Sequence, residues 1–331
     1  MRTKNNAKGD FSGHLLLRSA EGGRKVAVHP ITAAGVLAAI TLACCSLIHP
    51  NANADIGDNI AGTKAIYGNI APDQIESLST GDRIKSVASG RSNMAIWEAL
   101  EHGEKVECTD CIGPVAELLT DSNPRTREIS AWWLRRRTFG VFGPGQVYEQ
   151  TINTLSDPSK DATTRAYAAE ALGEFLAYPG VEACATALMK DPDGMVRASA
   201  ASALGRLNSD GNGALAAAFG DSDARVKLAA LKSVGRINGF KDGPAIARMS
   251  GDQDAKVRRN AAEMLGTLRV ADGYDALAGM ARDADPDVRN AAAHSLGALH
   301  DARARGVLDD LSKNDPSSLV RDQAVIALRR L

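Results

Sequence analysis

The chain has 331 residues, with 39 Lys and Arg against 40 Asp and Glu, 44% hydrophobic residues, 24% charged residues and 4% aromatics. Those proportions exclude wholesale disorder and a polytopic membrane protein. With so few rings, the core must be built from Ala, Leu and Val, which favours closely packed helices.

Residues 1–30 carry Arg2, Lys4, Lys8, Arg18, Arg24 and Lys25 against Asp10 and Glu21. An uncharged apolar run from Ile31 to Ile48 follows, then Pro50 and Ala52-Asn53-Ala54. This basic, apolar, small-x-small order is that of a secretory signal. The expectation for residues 1–54 is therefore a signal peptide cleaved after Ala54. Two alternatives stay open: an uncleaved N-terminal membrane anchor, because the run can just span a bilayer, and lipidation at Cys44. Cleavage would leave 33 basic against 38 acidic residues. A mildly acidic exported chain is a poor binder of nucleic acid, which needs a concentrated basic face. The expected location is the periplasm or cell envelope, with membrane contact only through an uncleaved N-terminal segment.

Residues 55–71 have three Gly and little periodicity, and read as a flexible tail. Residues 72–112 carry an apolar periodicity (Ile75, Leu78, Ile84, Val87, Ile96, Trp97, Leu100) and read as a degenerate N-terminal helical cap. Cys108-Thr-Asp-Cys111 ends that cap. In an oxidising compartment the pair can close a disulfide; reduced, redox-active thiols and zinc ligation with His102 nearby are the alternatives. Ile112 stands where c-type haem attachment needs His.

From residue 113 to 331 the chain repeats. A basic residue recurs at Arg127, Arg165, Arg197, Lys227, Arg258, Arg289 and Arg321. Seven residues later stand Leu134, Leu172, Leu204, Val234, Leu265, Leu296 and Leu328, followed by Gly in the five middle copies. Four residues before stand Asn123, Asp161, Asp193, Asp223, Asp254, Asp285 and Ser317, all good helix N-caps. Aliphatic or Thr residues at −1, small residues at +3 and aliphatic residues at +7 form one helical stripe. The small central residue admits a close neighbour. A shorter amphipathic stretch precedes each cap, so each unit reads as helix, turn, helix, and about seven stacked units create one continuous core.

Strings such as Asp283-Ala-Asp-Pro-Asp-Val-Arg289-Asn-Ala-Ala-Ala-His-Ser-Leu296-Gly297 resemble HEAT repeats, in particular the short HEAT-like repeats of phycobilisome lyases. The resemblance implies an all-α, right-handed α-solenoid of stacked helix pairs whose second helices line the concave side. It also implies a ladder between the basic residues and Asp121, Asp191, Asp221, Asp252, Asp283 and Asp315. Asp157, eight residues before Arg165, departs from that spacing and implies a longer turn.

No catalytic constellation stands out. There is no His-Glu dipeptide of the kind with which some helical-repeat hydroxylases hold iron, no ligand spacing among the six His, and no Gly-rich phosphate loop. No catalytic residue, cofactor or metal is expected. The face opposite the seam (positions +1, +2, +5 and +9) presents Ile129, Trp132, Arg136, Tyr167, Glu170, Glu174, Arg206, Lys232, Arg236, Arg259, Asn260, Glu263 and His294. The partner-binding candidates are Trp132, Arg136, Tyr167, Glu170, Arg206, Lys232 and Arg236. Trp132 can anchor an interface or, with Trp133, cover the cap. Arg135-Arg136-Arg137 reads as a solvated helix end. The functional expectation is a non-catalytic scaffold that binds a protein partner; the alternative is a redox-active or metal-binding envelope protein centred on Cys108 and Cys111.

Overall fold

The computed structural model describes residues 79–331 apart from 91, 138–144, 177–178, 209–211, 238 and 241. The chain divides into two units, Met1–Ile56 and Gly57–Leu331, and everything described belongs to the second. The expected signal or anchor (1–54), its alternative lipidation at Cys44 and the tail (55–71) lie outside the described residues.

The described residues form sixteen α-helices and no strand. Helices α1 (Gly81–Ala88) and α2 (Asn93–His102) form the cap. A 3-10 turn (Thr109–Cys111) leads into α3 (Ile112–Glu117), which pairs with α4 (Pro124–Arg135). Then come α5 (Gln146–Ser156) with α6 (Ala162–Phe175), and α7 (Pro179–Lys190) with α8 (Gly194–Leu207). The pairs α9 (Asn212–Ala218) with α10 (Ala224–Val234) and α11 (Gly243–Arg248) with α12 (Ala255–Thr267) follow. The last are α13 (Tyr274–Met280) with α14 (Pro286–Leu299), and α15 (Ala304–Asn314) with α16 (Ser318–Leu328). Each second helix packs on the second helix of the next pair, so seven pairs stack into an all-α solenoid.

The repeated residues explain the stacking. All seven residues four before the basic position are helix N-caps. Six accept a backbone N–H through the side chain; Ser317 does not. The −1, +3, +7 stripe is buried nearly throughout, from Val196, Ala200 and Leu204 to Val288, Ala292 and Leu296.

The glycine after the stripe sets the distance between pairs. A Cβ on Gly173 would lie 2.9 Å from Ala203 Cα, one on Gly205 2.6 Å from Ser233 Cβ, one on Gly266 2.6 Å from Ser295 Cβ, and one on Gly297 2.8 Å from Ala327 Cβ. Position +8 of one second helix thus presses on position +6 of the next, and only Gly fits there. At Gly235 the neighbour is the Met264 sulfur, a longer side chain in a row otherwise held by Ala and Ser.

A polar ladder runs beside this seam. Arg165, Arg197, Arg258 and Arg289 donate through Nε to Asp191, Asp221, Asp283 and Asp315 at 2.7–2.8 Å, and Lys227 reaches Asp252. Each arginine also donates Nη1 to carbonyls of its own turn, as Arg197 does to Asp191 and Pro192. Each aspartate in turn accepts the N–H two residues on, as Asp221 does from Asp223. One side chain therefore closes a turn and docks the next repeat. At Asp221, Asp283 and Asp315 the arginine hydrogen bond is the chief reason the carboxyl falls below the usual aspartate range. At Asp191 and Asp252 burial opposes the fall, and the cation and the backbone N–H together outweigh it.

Candidate functional site

The ladder fails at its first step. Because Asp157 stands two residues farther from Arg165 than in other copies, it caps its own turn by accepting from Ser159 N. Arg127 turns instead to Glu170, on the second helix of the next pair, at 3.0 Å, and lies over the Tyr167 ring at 3.6 Å. Position +8 of α4 is also Arg135 where the next five copies have Gly. With neither Gly contact nor Asp rung, the α4–α6 step departs from the regular seam.

Two adjoining concavities result. The larger, about 610 Å³, is walled by Trp97, Ile129, Trp132 and Leu176, with Glu101, Glu128 and Glu174 facing Arg135, Arg206 and Arg236 among its lining. The smaller, about 270 Å³, continues along Arg127, Glu170 and Glu174 to Arg206 and Arg236. Four second helices and the turns after them contribute: α2, α4, α6 and α8, with Arg236 just past α10.

Local chemistry positions these groups. Trp97 Nε1 donates to Glu101 one helical turn on, at 3.1 Å. Arg206 pairs with Glu174. Burial pushes the Glu174 carboxyl above its ordinary range, and Arg206 pulls the other way. Leu176 has φ 53° at the end of α6 and is 50% exposed. A left-handed backbone disfavours a branched apolar residue and costs on the order of 1 kcal/mol, yet here it holds a large apolar side chain at the rim.

Of the expected partner-binding residues, Trp132, Arg206 and Arg236 meet in the larger concavity, and Glu170 lines the smaller. Tyr167 is half-buried beneath Arg127. Arg136 and Lys232 are exposed but line neither. One presented position was misplaced: Asn260, at +2, is buried, whereas Ile129, also at +2 and 4% exposed, lines the larger concavity. Asn260 bonds the Lys256 carbonyl. Leu176, Trp97 and Arg135 were not anticipated. The absent glycine at Arg135 and the shifted Asp157 were the available signals.

The adjacent tryptophans divide the two roles open to them. Trp132 lines the concavity, while Trp133 is fully buried and donates Nε1 to the Gly103 carbonyl at 2.8 Å. The solvated helix end is corrected at Arg137, which is 5% exposed. Its guanidinium stacks on Trp133 at 3.5 Å and donates to the carbonyls of Gly103, Glu104, Val106 and Trp133. Burial, then Arg136, brings its pKa down to about 10. This knot fixes the loop that leads to Cys108.

Cys108 and Cys111 form a disulfide packed against Gly81, where a Cβ would lie 2.9 Å from Cys108 Sγ. Glu107 and Asp110 flank it in the chain. Cys184 is buried, and burial pushes its thiol up to about 12. Among the described residues no three His, Cys, Asp or Glu side chains are grouped to hold a metal ion.

Residues 148–217 and 243–329 match the family model described as HEAT repeats. No curated protein matches the sequence. The fold is similar to that of Escherichia coli YibA, at 19% identity over 73% of this chain and 98% of that one, with TM-score 0.49. It is also similar to an archaeal HEAT-like repeats protein from Thermococcus onnurineus (14% identity, 66% and 96% covered, TM-score 0.46). A third likeness is to the CpcE–CpcF complex of phycocyanin lyase from Nostoc sp. (20% identity, 66% and 93% covered, TM-score 0.37).

Proposed function

The chain is a HEAT-repeat protein, and from that premise we propose that it is a non-catalytic interaction scaffold of the cell envelope which binds a protein partner on its second-helix face. The observation that carries this reading is the concavity at the α4–α6 step. It combines an apolar wall of two tryptophans, Ile129 and Leu176 with carboxylates and guanidinium groups of both signs. Half-buried aromatic anchors ringed by charge suit a polypeptide segment that brings an apolar side chain and both charges. A small-molecule enzyme site would instead gather nucleophile, base and oxyanion donors around one point, whereas here Glu174 is paired with Arg206 and the charges are spread along an apolar wall.

Export rests on the basic-apolar-small order of residues 1–54, and the closed Cys108–Cys111 pair suits an oxidising compartment. No described helix is long and apolar enough to cross a membrane.

Quantitative affinity capture from envelope extracts tests the binding. Trp132→Ala with Arg206→Glu should remove the proteins retained by the parent chain, and unchanged retention would rule out this face. The redox alternative is addressed separately by equilibrating the protein with glutathione buffers. A pair that stays oxidised across cytosol-like potentials is structural, whereas ready exchange would favour the alternative.

A further inference from the structure

In every repeat but the last, the following second helix covers position +4. Ala131, Ala169, Ala201, Leu231, Ala262 and Ala293 are all fully buried there. On α16 the same position is Val325, 39% exposed, beside Ile326 at 46% and below Leu319 at 70%. Half of the large exposed apolar side chains among the described residues stand on this one helix. The ladder is open there too. Arg321 holds the Asp315 and Pro316 carbonyls of its own turn, and among the described residues it makes no ion pair with a carboxylate.

This face does not admit the glycine contact of the regular steps. Position +8, Gly in the five preceding copies, is Arg329, whose side chain blocks the close approach that those glycines permit. The stripe that remains is Asp322, Val325, Ile326 and Arg329, spaced i, i+3, i+4, i+7 on one side of the helix. It has an acid at one end, a base at the other and two apolar residues between. Asp322 and Arg329 are exposed, and neither makes an ion pair among the described residues.

We infer that α16 docks antiparallel on α16 of a second copy of this chain, about a two-fold axis between Val325 and Ile326. Reversing the stripe and laying it on itself places Asp322 beside the second copy's Arg329, and Arg329 beside the second copy's Asp322. Val325 then meets the second copy's Ile326. The pattern satisfies an isologous contact, in which the same patch must complement itself. Leu319 extends the apolar strip along the aliphatic stem of the second copy's Arg329. A single helix face falls short of the ~800 Å² per partner of a standard interface, so the dimer forms with a Kd on the order of tens of micromolar.

Sedimentation velocity on the full chain, from about 5 to about 500 µM, reads this directly. The parent should shift from monomer to dimer over that range, and Ile326→Asp should raise the dissociation constant at least ~10-fold. The charge pair gives the sharper test. Asp322→Arg and Arg329→Asp alone each juxtapose like charges and should each weaken association about 5-fold or more, while the double exchange returns it to within about 2-fold of the parent. Circular dichroism of each variant checks that helicity is intact, as expected for changes at exposed positions. Trp132→Ala should leave the dissociation constant unchanged, which separates this contact from the concavity. A parent that stays monomeric throughout, single exchanges without effect, or a double exchange that fails to restore association would each overturn the inference.

Discussion

The α4–α6 step and the steps from α6 to α16 are built from the same unit and behave differently. In the later steps a glycine lets neighbouring second helices approach within van der Waals distance, and an acid–base rung locks each turn to the next. In the first step Arg135 replaces the glycine, Asp157 is out of register and Arg127 swings onto Glu170. The regular region hides its backbone and its seam. The irregular step leaves an apolar, mixed-charge concavity lined by Trp97, Trp132 and Leu176. On the proposed reading, stacking and recognition compete for the same positions, and one junction is given over to recognition.

If close packing governs the regular steps, a side chain at their glycines is the most damaging change. Gly173→Val should cost about 3 kcal/mol, because the new Cβ meets the Ala203 backbone, which cannot yield. Arg135→Gly, which makes the first step resemble the others, should cost only the ~1 kcal/mol of a helical glycine and narrow the concavity. Urea titration of the two variants gives the comparison.

The rungs should separate the regions next. Asp191→Ala strands the Arg165 side chain, which is 9% exposed, and should cost about 2 kcal/mol after allowance for the water that still reaches it. Glu170→Ala should cost less than about 1 kcal/mol, since Arg127 keeps the Asp121 and Ser122 carbonyls and Glu170 is 43% exposed. Thermal unfolding of both resolves the difference.

Acid should act on the concavity first and on the ladder last, with opposite signs. The carboxyls of Asp191, Asp221, Asp252, Asp283 and Asp315 lie below the usual aspartate range. Their contribution is fully present above the unfolded-state value, near 4, and is lost as pH falls through their lower folded values. Glu174 has the opposite sign. Its raised carboxyl favours the folded state most below the unfolded glutamate value, and that benefit is lost as pH rises through its folded value. Unfolding free energy measured from pH 7 down to pH 2 should therefore fall at the acid end. Asp221→Asn and Asp283→Asn should flatten the fall, and Glu174→Gln should steepen it.

The smallest effects sharpen the regular region itself. Lys227 lacks the second arm with which the arginines hold their own turns, so Lys227→Arg should add about 0.5 kcal/mol. Ser295 is fully buried with no partner for its hydroxyl and stands where Ala203 and Ala327 stand in other copies. Ser295→Ala should add about 1 kcal/mol. Chemical denaturation of each single variant checks both.

The fold was legible in the sequence because one short pattern is written seven times, so caps, seam and glycines could be read against each other. The resemblance to HEAT repeats supplied the ladder, and the structure carries it through five rungs. The concavity was legible only in part. Trp132, Arg206 and Arg236 follow from helix phase. Asn260 was misread because +2 lies close enough to the seam to be covered by the preceding helix, whereas Ile129 at the same position lines the concavity. Trp97 comes from a cap that shares no register with the repeats. Leu176 depends on a left-handed turn, and Arg137 is buried because three carbonyls of a distant loop, together with that of Trp133 on its own helix, converge on it. None of these is encoded by spacing.

Photo-crosslinking in the producing cell tests most directly whether recognition belongs to the open step. A photoreactive phenylalanine is placed at Trp132 and, in a second strain, at Glu263, the equivalent position of a regular repeat. The account predicts polypeptide adducts at residue 132 and few or none at residue 263. Adducts of equal yield at both positions, or none at residue 132, would contradict it.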